Sequence, residues 1–172
     1  MLTPRLIWNY EPFINKAIEA FDPEDVSIAG GAVRDTLFGK PVKDVDLYIR
    51  YVTTPLKNKF IKEHSLEKKS KDEYDETDFD VWHDPKKPDI DIIFHRGTID
   101  NFIKSSFDCS ICEVWYNFKH GLSYTENFDK GRDEKRIYIY RDRCSSHLAS
   151  KHLERVLDKY TDWKWEAWNE RH

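Results

Sequence analysis

Apolar positions along the chain follow two periods, and the switches between them lay out an alternation of helices and strands. FINKAIEAF keeps helical spacing until Asp22-Pro23 interrupts it, which predicts a helix over 13–21. Residues 26–29 read as a short apolar strand running into Gly30-Gly31, and 32–38 as a helix closed by Gly39. DVDLYIR alternates polar and apolar residues, so 44–50 is a strand with one buried face. Thr54 as N-cap and Pro55 in the first turn open another helix. The mixed-charge run 68–78 reads as a mobile loop. Strands over 79–82 and 90–94 flank the turn Asp84-Pro85-Lys86-Lys87-Pro88.

Further on, 98–104 reads as a short helix, and 114–118 with 122–125 as a hairpin around Lys119-His120-Gly121. RIYIY over 136–140 is the last strand. A helix over 145–160 follows, with Leu148, His152, Val156 and Tyr160 at roughly four-residue steps. The predicted class is α+β, a small mixed sheet with helices packed on it, in one domain of 1–172.

The 172 residues give enough length for a real core. No apolar run reaches the roughly 18 residues of a membrane span, and the first residues lack a signal-peptide pattern. Three cysteines do not suggest a disulfide framework, so a reducing, cytoplasmic setting is expected. The net charge of −4 argues mildly against a generic nucleic-acid binder, but it is unevenly spread. From Lys130 onward eleven Lys/Arg face eight Asp/Glu, net +3, which leaves −7 for the preceding residues. An acidic front suits metal, and a basic tail suits a phosphate backbone. Ordinary solvated faces account for the asymmetry almost as well.

Two features in series carry candidate chemistry. Gly30-Gly31-Ala32-Val33-Arg34-Asp35 lies between a strand and a helix, where glycines let backbone N–H groups approach a phosphate and the helix start favours an anion. Arg34, one turn in, is placed to add a charged contact to a triphosphate. A Gly-Gly pair alone is more often a tight turn. The second feature is Asp44-Val45-Asp46. Residues two apart on a strand share a face, so these carboxylates project together and repel unless a cation lies between them. Mg²⁺ held by carboxylates and substrate phosphates is the usual resolution, and two such ions can activate a hydroxyl and stabilise a leaving pyrophosphate. Asp89 and Asp91 share the polar face of the next alternating strand. Asp91, the deeper of the two, is the expected third carboxylate if that strand pairs beside 44–50.

IAGGAVRDTLFGKPVKDVDL, residues 28–47, closely resembles the signature of the poly(A) polymerase and CCA-adding enzyme head domain, a branch of the DNA polymerase β-like nucleotidyltransferases. The resemblance implies that Gly30 and Gly31 hold an NTP triphosphate and that Asp44 and Asp46 ligate two Mg²⁺. IDIIFHR resembles the family segment with an acidic residue followed five positions later by arginine, which supports Asp91 and makes Arg96 a phosphate-side candidate. Asp108 and Ser110 fit the family's R-R-D-F-T-x-N-A segment, used around the ribose, while Ser106, Phe107 and Cys112 depart from it. The resemblance covers a catalytic head of about 26–117, followed by a C-terminal strand and helix within 135–172. Too few residues follow for the family's neck, body and tail, so full CCA addition is not expected.

Other residues have bland readings. Cys109-Ser110-Ile111-Cys112 is a C-x-x-C, but no second one follows and His120, His147 and His152 are scattered, so buried thiols are the expectation. Trp163, Trp165 and Trp168 are expected to pack on the body rather than stack on bases. The acidic stretch Asp72, Glu73, Asp75, Glu76, Asp78 and Asp80 reads as solvated loop. Arg141, Arg143, Lys151 and Arg155 are the candidates for an acceptor-RNA contact, a solvated helix face being at least as good a reading. Together these residues predict Mg²⁺-dependent transfer of NMP from an NTP to an acceptor, an RNA 3′ end first. A protein or small-molecule acceptor and a catalytically silent nucleotide-binding module are the alternatives.

Overall fold

A computed structural model describes residues 4–69, 79–144 and 147–172. The helices are α1 (Pro4–Phe21), α2 (Gly31–Leu37), α3 (Thr54–Glu63), α4 (Ile99–Ser106), α5 (Glu126–Glu134) and α6 (His147–Lys159). The strands are β1 (Val26–Ala29), β2 (Val45–Arg50), β3 (Glu67–Lys68), β4 (Phe79–Asp84), β5 (Lys87–His95), β6 (Val114–Asn117), β7 (Gly121–Tyr124), β8 (Arg136–Tyr140) and β9 (Lys164–Trp168). Seven strands form one sheet in the order β3-β4-β5-β2-β1-β6-β7, and β8 pairs with β9 in a second. Within the large sheet only β2 and β5 run parallel. That pair brings the start of β2 beside the middle of β5, and with them Asp46 beside Asp91.

Alternation explains the main core. Val45, Leu47 and Ile49 of β2 and Ile90, Ile92 and Phe94 of β5 are all buried on one face. Phe13, Ile14, Ala17 and Phe21 of α1, with Phe60 of α3, pack with them. Phe21 and Phe60 meet edge to face at 5.1 Å, an arrangement that adds to their area burial. The opposite face was expected to be polar. It is instead covered beyond the aspartates, where Tyr48, Val81, Ile93, Ile103 and Trp115 form a second cluster. The apolar stripe of α4 supplies that cover.

Several boundaries differ from the sequence reading for identifiable reasons. Helix α1 begins well before 13. Thr53, with extended backbone and no side-chain capping bond, is the N-cap of α3 rather than Thr54, whose hydroxyl accepts a hydrogen bond from Arg96 Nη2 at 3.1 Å. Strand 136–140 is not the last. Lys164–Trp168 adds beside it in parallel, Ile137 opposite Trp165. Helix α5 had no visible apolar period, and Gly131 sits inside it. Its signal is the cap, Thr125 Oγ1 accepting from the Phe128 N–H at 3.2 Å. The predicted loop at 68–78 lies outside the described residues from 70 on, with Asp72, Glu73, Asp75, Glu76 and Asp78, as do 145 and 146. Trp163 packs on Phe38 at 5.0 Å and Trp168 stacks on Tyr138 at 4.3 Å, while Trp165 is 57% exposed.

Gly131 is required by space, since a Cβ there would stand 2.6 Å from the Arg136 carbonyl oxygen. Gly131→Ala should therefore cost about 2 kcal/mol or more, the scale of overpacking against backbone. Urea unfolding of the two proteins checks it, and an unchanged midpoint would contradict the close approach of α5 to β8.

Candidate active site

The parallel register sets Asp46 directly opposite Asp91, one residue beyond the buried pair Val45 and Ile90. Asp44 precedes β2 and is exposed, as is Asp89 on β5. Asp46 is driven up to about 7 by burial first, then by the charges of Asp91 and Asp44, against the opposing pull of His152 and Lys69. The structure thus sets Asp46 and Asp91 side by side with the charge of Asp44 acting on Asp46, while Asp89 lies two residues before Asp91, exposed like Asp44 and acting with it on Tyr10. Asp91 has its own counter-charge, Lys69 Nζ lying 2.8 Å from Oδ1 and 2.9 Å from Oδ2.

Two residues at this cluster escaped the sequence reading. Lys69 falls in what read as loop. His83 of β4 stands opposite Asp91 in the antiparallel register, and its Nδ1 is buried without a hydrogen-bond partner among the described residues. The alternation of β4 and the turn before β5 were the signal for His83, since cross-strand partners share a face. An unsatisfied ring nitrogen beside crowded carboxylates marks a place built for a polar group. The donor set is hard oxygen, two of its members in register on adjacent strands, and that fits Mg²⁺.

Gly30 turns the chain from β1 into α2 with φ 72° and ψ −131°, a backbone shape that side chains resist. Its N–H is held by the Val114 carbonyl at 3.0 Å, and the Phe107 ring stands 3.6 Å from where its Cβ would be. Gly31 has ordinary helical geometry, with Arg34 Nη2 3.5 Å from its would-be Cβ. Gly30→Ala should accordingly destabilise by about 1–3 kcal/mol. Gly31→Ala should stay within about 0.5 kcal/mol of wild type yet lower transfer by crowding the phosphates. Thermal melts and a transfer assay run in parallel separate the two. Equal melting loss in both would contradict the backbone assignment.

Arg34 does not reach out from this turn as expected. It is 5% exposed, donating from Nε to Asp35 at 2.8 Å and from Nη1 to the Cys112 sulfur at 3.1 Å, above the Tyr160 ring. Asp35 also accepts from Lys159 and Tyr160, at 2.7 and 2.8 Å, so the guanidinium is committed to tying α6 to α2. Asp108 is buried too, its Oδ2 2.8 Å from His152 Nδ1. Burial works against the His152 imidazolium, but Asp108 and Cys112 together raise it to about 10. The Cys112 thiol is held well below its usual range by the hydrogen bond from Cys109 and by Arg34, while Cys109 is pushed up.

Arg96 sits at the other end of β5, roughly 16 Å along the strand from Asp91, bonded to Tyr51 and Thr54. The structure does not bring it to the carboxylates. It shares a cavity of about 680 Å³ with Lys104 and Arg143, whose Nη1 donates to the Phe107 carbonyl. Arg141, Lys151 and Arg155 are exposed. A cavity of about 730 Å³ lined by Arg50, Lys104, Trp115 and Arg171 lies toward the same end. The aspartates border only about 160 Å³, with Tyr48, Ser106 and Phe107. Size and chemistry disagree here. The small cavity is the one where in-register carboxylates create an electrostatic demand for a cation.

Comparison with solved structures shows the same fold in a tRNA-processing enzyme and in CCA-adding enzymes. A tRNA-processing enzyme in its apo form matches with TM-score 0.63 and 16% identity, over 96% of this chain and 45% of that one. The Thermotoga maritima CCA-adding enzyme complexed with tRNA matches with TM-score 0.63 and 17% identity, over 96% and 42%. A CCA-adding enzyme in complex with ATP matches with TM-score 0.63 and 16% identity, also over 96% and 42%. The chain therefore spans less than half the length of these structures. No curated protein matches in sequence. No helix among the described residues is long and apolar enough to cross a membrane. The family described as Gabija anti-defense 2 family protein matches residues 8–151, and the chain belongs to that family.

Proposed function

We propose that the chain is a Mg²⁺-dependent, template-independent nucleotidyltransferase that moves NMP from an NTP to an acceptor hydroxyl and releases pyrophosphate. The observation that carries this reading is the register of Asp46 with Asp91 on parallel strands, beside Asp44 and next to the Gly30 turn. Asp44, Asp46 and Asp91 would hold the metal pair, which would supply charge stabilisation at the attacking and leaving oxygens. Gly30 and Gly31 leave room for the triphosphate. Asp91, already oriented by Lys69, is placed to align the attacking hydroxyl. Arg34 and Asp108 serve the nucleotide side indirectly, by fixing α2 and α6.

An RNA 3′ end is the first acceptor. Structural neighbours solved with tRNA and with ATP support it, as does the Arg96, Lys104 and Arg143 cavity, with Arg141, Lys151 and Arg155 on the surface beyond. The second reading keeps the chemistry and changes the acceptor to a protein or small molecule. The family description, which names anti-defense rather than tRNA maturation, favours it. Free thiols at all three cysteines are in keeping with a cytoplasmic setting.

Incubation with α-labelled NTPs, Mg²⁺ and either total RNA or a soluble lysate distinguishes the acceptors. Label removed by ribonuclease supports the first reading. Label removed by protease, or found in a small molecule, supports the second.

A further inference from the structure

The C-x-x-C that looked isolated in sequence has a histidine beside it in space. Cys109 and Cys112 bracket a tight turn over Ser110–Cys112 and are both buried, with their sulfurs 3.5 Å apart. His152 arrives from α6, forty residues on, and places Nε2 4.0 Å from the Cys112 sulfur. Its other nitrogen is held by Asp108 at 2.8 Å. The Asp108 carboxylate and both sulfurs lie within 4.8 Å of one another.

We propose that Cys109, Cys112 and His152 Nε2 bind one Zn²⁺, with Asp108 fixing the imidazole through Nδ1 and near enough to close the fourth corner. Tetrahedral zinc with ordinary bond lengths sets sulfurs about 3.8 Å apart and sulfur from nitrogen about 3.6 Å. The Cys109–Cys112 and Cys112–His152 spacings differ from these by a few tenths of an ångström, which rotamer adjustment covers. Two thiolates and an imidazole select a borderline-soft cation over Mg²⁺. A carboxylate on the far nitrogen of a ligating histidine is the usual outer support of such a ligand. Arg34, donating to the Cys112 sulfur at 3.1 Å, balances the surplus negative charge of the donor set. Zinc binds the thiolate and neutral imidazole forms, so binding releases protons and affinity rises with pH. The ion would staple α6 to the turn after α4, on the side of α2 where Arg34 and Asp35 already tie the same elements. It shares no ligand with the aspartate cluster, although the His152 charge reaches Asp46, and its test reads zinc content and cobalt absorption rather than transfer.

The test uses the full chain, purified without a histidine tag from zinc-supplemented medium. The expected result is about one zinc per chain, with affinity lowered about 10- to 100-fold in Asp108→Asn and zinc lost in Cys112→Ser. A zinc-selective chelator should lower the melting temperature by several degrees in wild type alone. Cys112→Ser alters a buried site, so Co²⁺-loaded wild type gives an independent reading through thiolate-to-cobalt charge-transfer absorption. A zinc-free chain whose cobalt form lacks those bands overturns the proposal. So does zinc retained at full affinity by Cys112→Ser.

Discussion

Asp46→Asn abolishes transfer and, in the same protein, raises the melting temperature of the metal-free chain. The two effects have one cause. Asp46 is half-buried beside Asp91 and Asp44, and loss of water contact first, then those two charges, drive its carboxyl up to about 7. In folded, metal-free protein that charge is a burden, and it becomes useful only when Mg²⁺ is bound. Because the folded value lies above the unfolded value of 3.8, the folded state holds the proton more tightly. Metal-free wild type should therefore lose stability as pH rises from about 4 to about 7. Asparagine removes that slope and should gain up to about 4 kcal/mol at neutral pH, the linkage of a carboxyl moved from 3.8 to about 7, less to the extent that solvent reaches the carboxylate. The metal-free melting temperature should therefore rise by several degrees. Transfer should fall at least 100-fold with the loss of a metal ligand. Calorimetry with and without Mg²⁺, across pH, checks the stability half. A variant that melts lower than wild type without metal would show Asp46 to be a structural residue.

The second large effect separates Asp91 from Asp89. Strand alternation places both on one face about 6.6 Å apart, so their sequence context is nearly the same. The parallel register distinguishes them, putting Asp91 opposite Asp46 and within the grip of Lys69 and leaving Asp89 exposed. Asp91→Asn should reduce transfer by two orders of magnitude or more, whereas Asp89→Asn should stay within a few-fold of wild type. Single-turnover rates at saturating Mg²⁺ make the comparison. Equal tolerance of the two substitutions would reduce the centre to two carboxylates and favour a silent nucleotide-binding module.

Local rules made much of this legible before any coordinates. Period-2 alternation named the buried residues of β2 and β5, and with them the faces that carry Asp46 and Asp91. The glycine pair marked the turn into α2, and its resemblance to a known head domain gave the fold. What stayed hidden depends on long-range contact. His83 meets Asp91 only through a strand register, and His152 meets Cys112 only through the docking of α6. Arg34 read as a surface cation because nothing near it in sequence announces Tyr160 and Cys112, which with its neighbour Asp35 make a buried set of partners. Helix α5 and strand β9 were missed for a different reason. ENFDKGRDE and KWEAW carry weak periodicity, and packing against β8 rather than local propensity decides their shape.

The central claim is that the α-phosphate of an NTP is transferred. Parallel reactions with α-labelled and γ-labelled NTP, Mg²⁺ and a cell extract, using wild type and Asp46→Asn, test it most directly. The account predicts covalent label in acceptor from the α position only, with pyrophosphate released in equal amount and neither seen with Asp46→Asn. Label arriving from the γ position, or α-label transferred equally well by Asp46→Asn, would contradict it.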